Sequence, residues 1–589
     1  MELLTGTFLV LATWTVCVAG LATLGLLPAA WSDASASRIT LLRRALWWGL
    51  LIAVIEVCAL SLVAPMHSSA AALVLVISCV VLGVPGWYKW STRASRTMRV
   101  GRSKFAILLA LVVSQIYWAI AALGPVTGYD TGLYHLGAIR YSTEFAAIPG
   151  LSNLYGPLGY ATAEFPLGAV LGNGPWGTEG FRLLNGLVFA LVACELYFRM
   201  TRKRLTAGTY VLIVGGVAAW VPMIVMSDFW VTSPSQDSAV LALTVVSISY
   251  FVDAIAGRKS YQMNLIIALA IFLVILMIRS TTVAFFLAIL VVSLTLVTRR
   301  RGWAQPEFQT RGVLLLGGLA VLGAIAMAAR DYLLSGWLQY PLSIFSFDVA
   351  WLAPDPTDLR EATLGFARDP GNTWESVSGW AWIPAWVSRL PREWAFAEFL
   401  TLSLAAVALL VISRKQISSS RRWPALLAAI APSAVAVALW WLASPPAFRF
   451  AWGPLFTLAA IPLGWSLWGL SQSTSRPSPN WDRLALVVAG CLILGVTGFS
   501  MVVRLDWSSI TATRHWNLVV SIPYAVTPIT DAPVASATLP SGLAVTQPTQ
   551  TDQCWSAYPL CTPAPASGLA LRGATIDQGF RSDAAEGKN

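Results

Sequence analysis

"SYQMNLIIALAIFLVILMIRSTTVAFFLAILVVSLTLVT", residues 260–298, holds a single charge, Arg279, with 19 uncharged residues on either side. As one helix it would be about 58 Å long, roughly twice the thickness of a bilayer's hydrocarbon core. Two helices joined at Arg279 fit that thickness. The same measure along the chain gives fourteen apolar runs: about 5–30, 45–65, 69–88, 105–125, 182–198, 207–226, 238–257, 260–278, 280–298, 312–329, 395–413, 424–443, 451–470 and 484–503. Composition agrees, since 57% of the 589 residues are hydrophobic and only 11% charged, with 28 tryptophans. Inside a bilayer each helix satisfies its own backbone hydrogen bonds. The expected fold is therefore an all-α polytopic membrane protein with about fourteen transmembrane helices. No basic segment precedes the first run, "MELLTGTFLVLATWTVCVAG", which reads as a retained span rather than a cleaved signal.

Lys and Arg counts set the orientation. With the N-terminus outside, short inner connections carry 25 of the 39 basic residues and only five acids. The outer segments carry the other 14 basic residues and 22 acids, and Glu56 lies within a span. The formal charge of +11 is thus an orientation signal and implies no nucleic-acid partner. Three outer segments are long: 126–181, 330–394 and 504–589. The expected division is a transmembrane domain over 1–503, with outer loops 126–181 and 330–394, and an extracytoplasmic C-terminal segment over 504–589. Both termini are then extracytoplasmic. "WESVSGWAWIPAWVSRLPREW" (374–394) suggests short interfacial helices anchored by tryptophan. The tail reads as a small loop-rich extension whose last dozen residues are disordered. Cys17, Cys58, Cys79, Cys194 and Cys491 lie in apolar runs as packing residues. Cys554 and Cys561, on the oxidising side, are expected to form a disulfide.

Chemistry concentrates where the fourth run ends, in "GPVTGYDTGLYHLGAIRY" (124–141), with Asp130, Tyr134, His135 and Arg140. An N-cap role explains Asp130 alone. It does not explain Tyr134 and Tyr141 on one helical face, flanked by His135 and Arg140. Three arginines also stand at outer ends of spans: Arg279 in "MIRSTTVAF", Arg330 in "RDYLLSGWLQYP" and Arg449 in "WLASPPAFRFAWG". Singly, each reads as a snorkelling anchor; together they can converge on one anion. Asp237, in "TSPSQDSAV", reads first as a helix cap facing the same side. Glu56 reads as a carboxyl hydrogen-bonded within the bundle. His67, His135 and His515 are scattered without metal-ligand spacing, and no Walker or Gly-rich dinucleotide loop seats ATP or NAD. A divalent cation has no supporting pattern.

One outer carboxylate, several outer guanidinium groups and a membrane setting suit an activated lipid-linked sugar phosphate. Its leaving group is already a stable anion, so cations can stabilise its departure while one base takes the acceptor's proton. The chain resembles the GT-C superfamily of integral-membrane glycosyltransferases, and more narrowly a group of bacterial GT-C-like membrane proteins. The marks are "YDTGLYHLGAIRYSTEFAAIPGLSNLYG" (129–156), "RDYLLSGWLQYP" (330–341), "PPAFRFAWG" (445–453) and the tail's "DQCWSAYPLCTPAP", "LALRG" and "GF". The resemblance implies a multi-pass protein of the bacterial plasma membrane with a polyprenyl-phosphate sugar as donor. It implies an inverting displacement onto a cell-envelope glycan, lipid or protein, with Asp130 as general base and Arg279, Arg330 and Arg449 on the donor phosphate. Tyr134, His135, Arg140 and Asp237 complete the expected substrate site. In many GT-C enzymes the acidic loop follows the first span, whereas here four spans precede it and Asp130 has no adjacent acid. A surface-polysaccharide polymerase or ligase is the second enzymatic reading, told apart by a diphosphate-linked oligosaccharide substrate. A transporter or lipid flippase is the non-enzymatic one; it would place ionisable groups near the midplane, where this chain offers chiefly Glu56.

Overall fold

The apolar run breaks where its charge lies: one helix ends at Ile278, Ser280–Thr282 form a tight turn, and the next helix begins at Val283. The computed structural model describes residues 2–94, 104–200, 202, 204–257, 260–300, 309–371, 379–418, 422–472, 480–504, 519–521 and 524–584. Several expectations lie outside those residues. They concern His515, the start of the Trp-rich stretch (374–378), the last five residues, and the loop charges Arg96, Arg99, Arg102, Lys203, Arg258, Lys259, Arg301, Glu307, Arg421 and Arg476.

Each expected span falls on a helix. These are α1 (Glu2–Ser32), α2 (Arg38–Leu60), α3 (Ser69–Ser91), α4 (Phe105–Ala121), α5 (Leu184–Met200), α6 (Ala207–Val225) and α7 (Gln236–Ala256). They continue as α8 (Tyr261–Ile278), α9 (Val283–Arg299), α10 (Thr310–Ser335), α11 (Trp394–Ser418), α12 (Arg422–Ala443), α13 (Trp452–Ser471) and α14 (Trp481–Arg504). Among the described residues, 12 helical stretches are long and apolar enough to cross a membrane. The remaining two are α2, which carries Arg38, Arg43, Arg44 and Glu56, and α4, of 17 residues. The protein is mostly helical, but not wholly so. Among the described residues, four two-stranded antiparallel pairs lie in the loops and tail, including Trp337–Gln339 with Ile344–Ser346 and Val534–Thr538 with Ala544–Pro548. These segments carry turn residues and are too short to form helices across a bilayer.

α7 and α13 are almost wholly buried, whereas α3, α10 and α11 expose apolar side chains such as Val80, Val84, Leu322 and Val411. An apolar exposed face suits lipid, not water. α1 and α2 cross closely at Gly25 and Gly49; a Cβ on Gly49 would lie 1.7 Å from the Leu21 carbonyl oxygen.

One end of the bundle is tied by a buried ionic network. Glu195 of α5 meets Arg199 at 2.5 Å and Arg43 at 3.8 Å, and accepts from Trp47 and Tyr250; Arg199 also reaches Asp253 at 2.8 Å. Among the described residues, Lys104 and Arg300 join this end, donating to the Met200 and Gly257 carbonyls. The other end carries the long connections and the tail. Glu56 accepts from Ser78 of α3, as its position within a span suggested.

The tail shares an apolar core with the 136–181 connection instead of building its own. Leu569 and Phe580 pack with Ile148, Leu151 and Phe165. Over 578–584 this corrects the expectation that the last dozen residues are disordered; the other five lie outside the described residues. Phe580 is fully buried, Arg581 pairs with Ala570, and Asp583 N–H donates to the Ser567 carbonyl. In the 344–394 connection, Thr357–Arg368 and Ile383–Arg389 are short helices, and Trp382 and Trp386 pack on Trp441.

Candidate functional site

After α4 the chain is pinned before it reaches its acid. Thr127 N–H donates to the Asp228 carbonyl, and Gly128 N–H to Ser233 Oγ at 2.9 Å. The 230–235 loop is itself held by Asn185, whose amide donates to the carbonyls of Trp230, Ser233 and Ser235. Next comes a single wide π turn, Thr131–His135, running into a short helix, Leu136–Glu144. Such wide turns recur at functional sites because they re-aim side chains relative to the helix that follows.

Asp130 stands at the head of that turn and does not cap it: its carboxylate bonds no backbone N–H of the helix. It accepts instead from Arg449 Nη1, at 2.7 Å and 319 residues away in sequence. Both side chains keep contact with solvent, 24% exposed for Asp130 and 29% for Arg449. Asp237 is also not the cap of its helix, since Ser235 holds that position; its carboxylate binds Arg279. Arg279 is neither exposed nor free to snorkel, being 11% exposed in its side chain and paired. Both guanidinium groups lie against one ring, Phe450, at 5.3 Å for Arg279 and 5.2 Å for Arg449. The two ion pairs are therefore neighbours.

Tyr134 and His135 complete one wall. The Tyr134 ring meets the rings of His135, Tyr160 and Phe165 edge-on. Burial, joined by the nearby Asp130 charge, raises the Tyr134 phenol well above its ordinary range. Burial pushes the His135 imidazole down to about 4, against the opposing pull of Asp130 and Asp237. His135 is thus neutral near pH 7 and its buried Nδ1 makes no hydrogen bond among the described residues.

Two expected members lie elsewhere. Arg330 is 4% exposed, and its guanidinium donates to Ser61 Oγ at 2.8 Å and Ser142 Oγ at 3.2 Å. It joins α10 to α2 and the 136–144 helix, apart from the Asp130 and Asp237 pairs. This corrects the expectation that it lines the same hollow. Arg140 donates to the Ser556 carbonyl and lies over Tyr558, so it holds the tail and not the cluster. Tyr141 likewise donates to the Pro559 carbonyl, on a different side from Tyr134. Tyr134 sits in the wide turn and Tyr141 in the α-helix that follows it, and the two rings meet different partners.

The tail closes over the Asp130 turn. Cys554 and Cys561 form a disulfide, and the loop between them places Trp555 against Gly132, the Trp555 backbone N–H donating to the Gly132 carbonyl at 3.0 Å. A Cβ on Gly132 would lie 2.2 Å from the Trp555 ring. Gln553 donates to the Tyr129 carbonyl, and Tyr129 donates to Asp552. In native membranes, Cys554 and Cys561 are expected to resist alkylation until a reductant is added, as intact-mass analysis reads directly. Two thiols labelled without reductant would contradict a bridge in the native protein.

Glu164, which no motif in the sequence singles out, belongs here. It opens the helix Glu164–Val170, is 1% exposed, and feels the charges of Arg279 and Asp237. Nothing local in "YATAEFPLG" marks it, because its significance depends on a neighbour more than a hundred residues away. Among the described residues, no group of three or more His, Cys, Asp and Glu side chains is arranged to hold a metal ion. The arrangement can bind an anion through two guanidinium groups and accept a proton at Asp130.

The family described as "Domain of unknown function (DUF8201)" matches residues 8–456, a range that takes in Asp130, Glu164, Asp237, Arg279 and Arg449. No curated protein and no solved structure matches the chain.

Proposed function

This chain belongs to the DUF8201 family, and we propose that it is a multi-pass glycosyltransferase of a bacterial plasma membrane, crossing it fourteen times. In this reading both termini and the Asp130 site face the extracytoplasmic side, and the basic end faces the cytoplasm. The donor is a polyprenyl-phosphate sugar and the acceptor a cell-envelope glycan, lipid or protein. The observation that carries the reading is the Asp130–Arg449 pair. The carboxylate is held by a phosphate-binding type of side chain, at a water-accessible bundle end, when a backbone cap was available and unused.

The chemistry follows from that pairing. A donor phosphate entering beside Phe450 competes for Arg449 and Arg279, each of which can give charge-assisted hydrogen bonds to it. Drawing Arg449 toward the phosphate frees Asp130. The acceptor hydroxyl oxygen then attacks the anomeric carbon as the bond from that carbon to the phosphate oxygen breaks. The bonding electrons leave with the polyprenyl phosphate, and Asp130 takes the hydroxyl proton. Attack opposite the leaving group inverts the anomeric centre.

The test is incubation of the purified protein, in lipid, with a panel of polyprenyl-phosphate sugars and envelope acceptors. Release of polyprenyl phosphate with sugar appearing on an acceptor supports the reading. Turnover confined to diphosphate-linked oligosaccharides would move the assignment to a polysaccharide polymerase or ligase.

A further inference from the structure

The transfer chemistry leaves Glu164 without a task, although its position is tightly fixed. Thr162 Oγ1 donates to the Ile278 carbonyl at 2.8 Å and accepts from Glu164 N–H at 3.2 Å. Ala163 N–H donates to the Met277 carbonyl at 2.8 Å. These bonds lock the start of the Glu164 helix to the last turn of α8, immediately before Arg279. On the other side Phe165 contacts the rings of His135, at 5.6 Å, and Tyr134, at 6.1 Å.

A carboxyl so placed has an obvious structural role, an ion pair with Arg279, and does not take it. Arg279 binds Asp237. Both oxygens of Glu164 are buried and make no hydrogen bond among the described residues, and Nδ1 of His135, whose ring packs on the adjacent Phe165, is in the same state. Buried polar atoms are nearly always paired, and leaving one unpaired costs stability, so such a group asks for a reason. Burial raises the Glu164 carboxyl well above its ordinary range, with Asp237 adding to that and Arg279 opposing it only in part. In its protonated form the group donates from one oxygen and accepts at the other. Neutral His135 likewise offers a donor or an acceptor. Asp237 close by disfavours a second anion.

We infer that Glu164, with His135 and Asp237, forms a subsite for adjacent hydroxyl groups of a neutral sugar ring, next to the phosphate-binding Arg279 and Arg449. This rests on the glycosyltransferase reading and adds to it a substrate class: an uncharged sugar with at least two free hydroxyls. A vicinal diol presents paired donors and acceptors, which matches a neutral carboxyl; a uronic acid would set its charge against Asp237.

The experiment compares binding of bare polyprenyl phosphate with that of polyprenyl phosphate bearing glucose, mannose, galactose, arabinose or glucuronic acid. The full-length protein is used in lipid, as wild type, Glu164→Gln and Glu164→Leu, and tryptophan fluorescence reads affinity. Wild type is expected to bind at least one neutral-sugar lipid about tenfold or more tighter than the bare lipid, the scale of one or two good hydrogen bonds. Glu164→Gln, which keeps a donor and an acceptor, retains most of that preference. Glu164→Leu loses it while its affinity for the bare lipid stays unchanged. Its melting temperature without ligand holds or rises, because a buried unpaired carboxyl has been removed. A Leu variant that keeps the preference, or that melts far below wild type, overturns the subsite and leaves the donor reading standing. So does a wild-type preference for glucuronic acid. Wild type that binds none of these lipids overturns both readings.

Discussion

Asp130→Asn is expected to slow sugar transfer at saturating donor by about 10²–10⁴-fold, the usual contribution of a positioned general base. The amide keeps the size of the carboxyl and an oxygen that Arg449 can donate to, but it cannot take a proton from the acceptor. Partial exposure of both partners keeps the structural cost small: exposed ion pairs contribute about 0–1 kcal/mol, so the melting temperature should barely move. Donor affinity should hold or improve, since the asparagine competes less well than a carboxylate for Arg449. Single-turnover assays with preloaded donor separate this effect on the chemical step from any effect on binding. Wild-type turnover in the asparagine variant would remove Asp130 from the mechanism.

Arg279→Ala is expected to raise the apparent Michaelis constant for donor by about 10–100-fold, matching the ~1.5–3 kcal/mol of a hydrogen bond to a charged group. The catalytic rate at saturation should fall less. Arg279 is nearly buried and paired, so its removal also strands Asp237, and losing one partner of a buried pair costs about 3–5 kcal/mol. The double variant Arg279→Ala with Asp237→Asn separates the two effects. It should recover much of the lost melting temperature by removing the stranded charge, yet still bind donor poorly. Recovery of donor affinity together with stability would make Arg279 a structural partner of Asp237 only. An unchanged Michaelis constant in the single variant would also take Arg279 off the donor.

The bundle was legible because its rules are local. The break at Arg279 and the spans over 69–88, 105–125 and 395–413 all follow from counting charges over about one bilayer thickness. The Cys554–Cys561 bridge was legible for the same reason, its partners being seven residues apart. The site was legible in its inventory and not in its pairing. Asp130, Asp237, Arg279 and Arg449 stood out as charges at span ends, but local logic offered each a local fate, as cap or anchor. Arg330 looked identical to Arg279 in sequence and proved to be a tether between helices. Arg140 and Tyr141, read beside Asp130, belong to the docking of the tail. Glu164 gave no signal because a glutamate at a helix start is ordinary until its neighbours are known.

Composition and spacing alone determined that this chain is a multi-pass helical protein with Asp130, Asp237, Arg279 and Arg449 at helix ends. Hydrocarbon allows a backbone no partner outside its own segment, so length and charge are enough. Tertiary structure alone decided which charges meet. Asp130 finds Arg449 across 319 residues, Asp237 finds Arg279, and the buried Glu164, which feels the second pair, has no hydrogen-bond partner among the described residues. Electrostatic attraction acts through space, and sequence order does not encode the distances over which it acts.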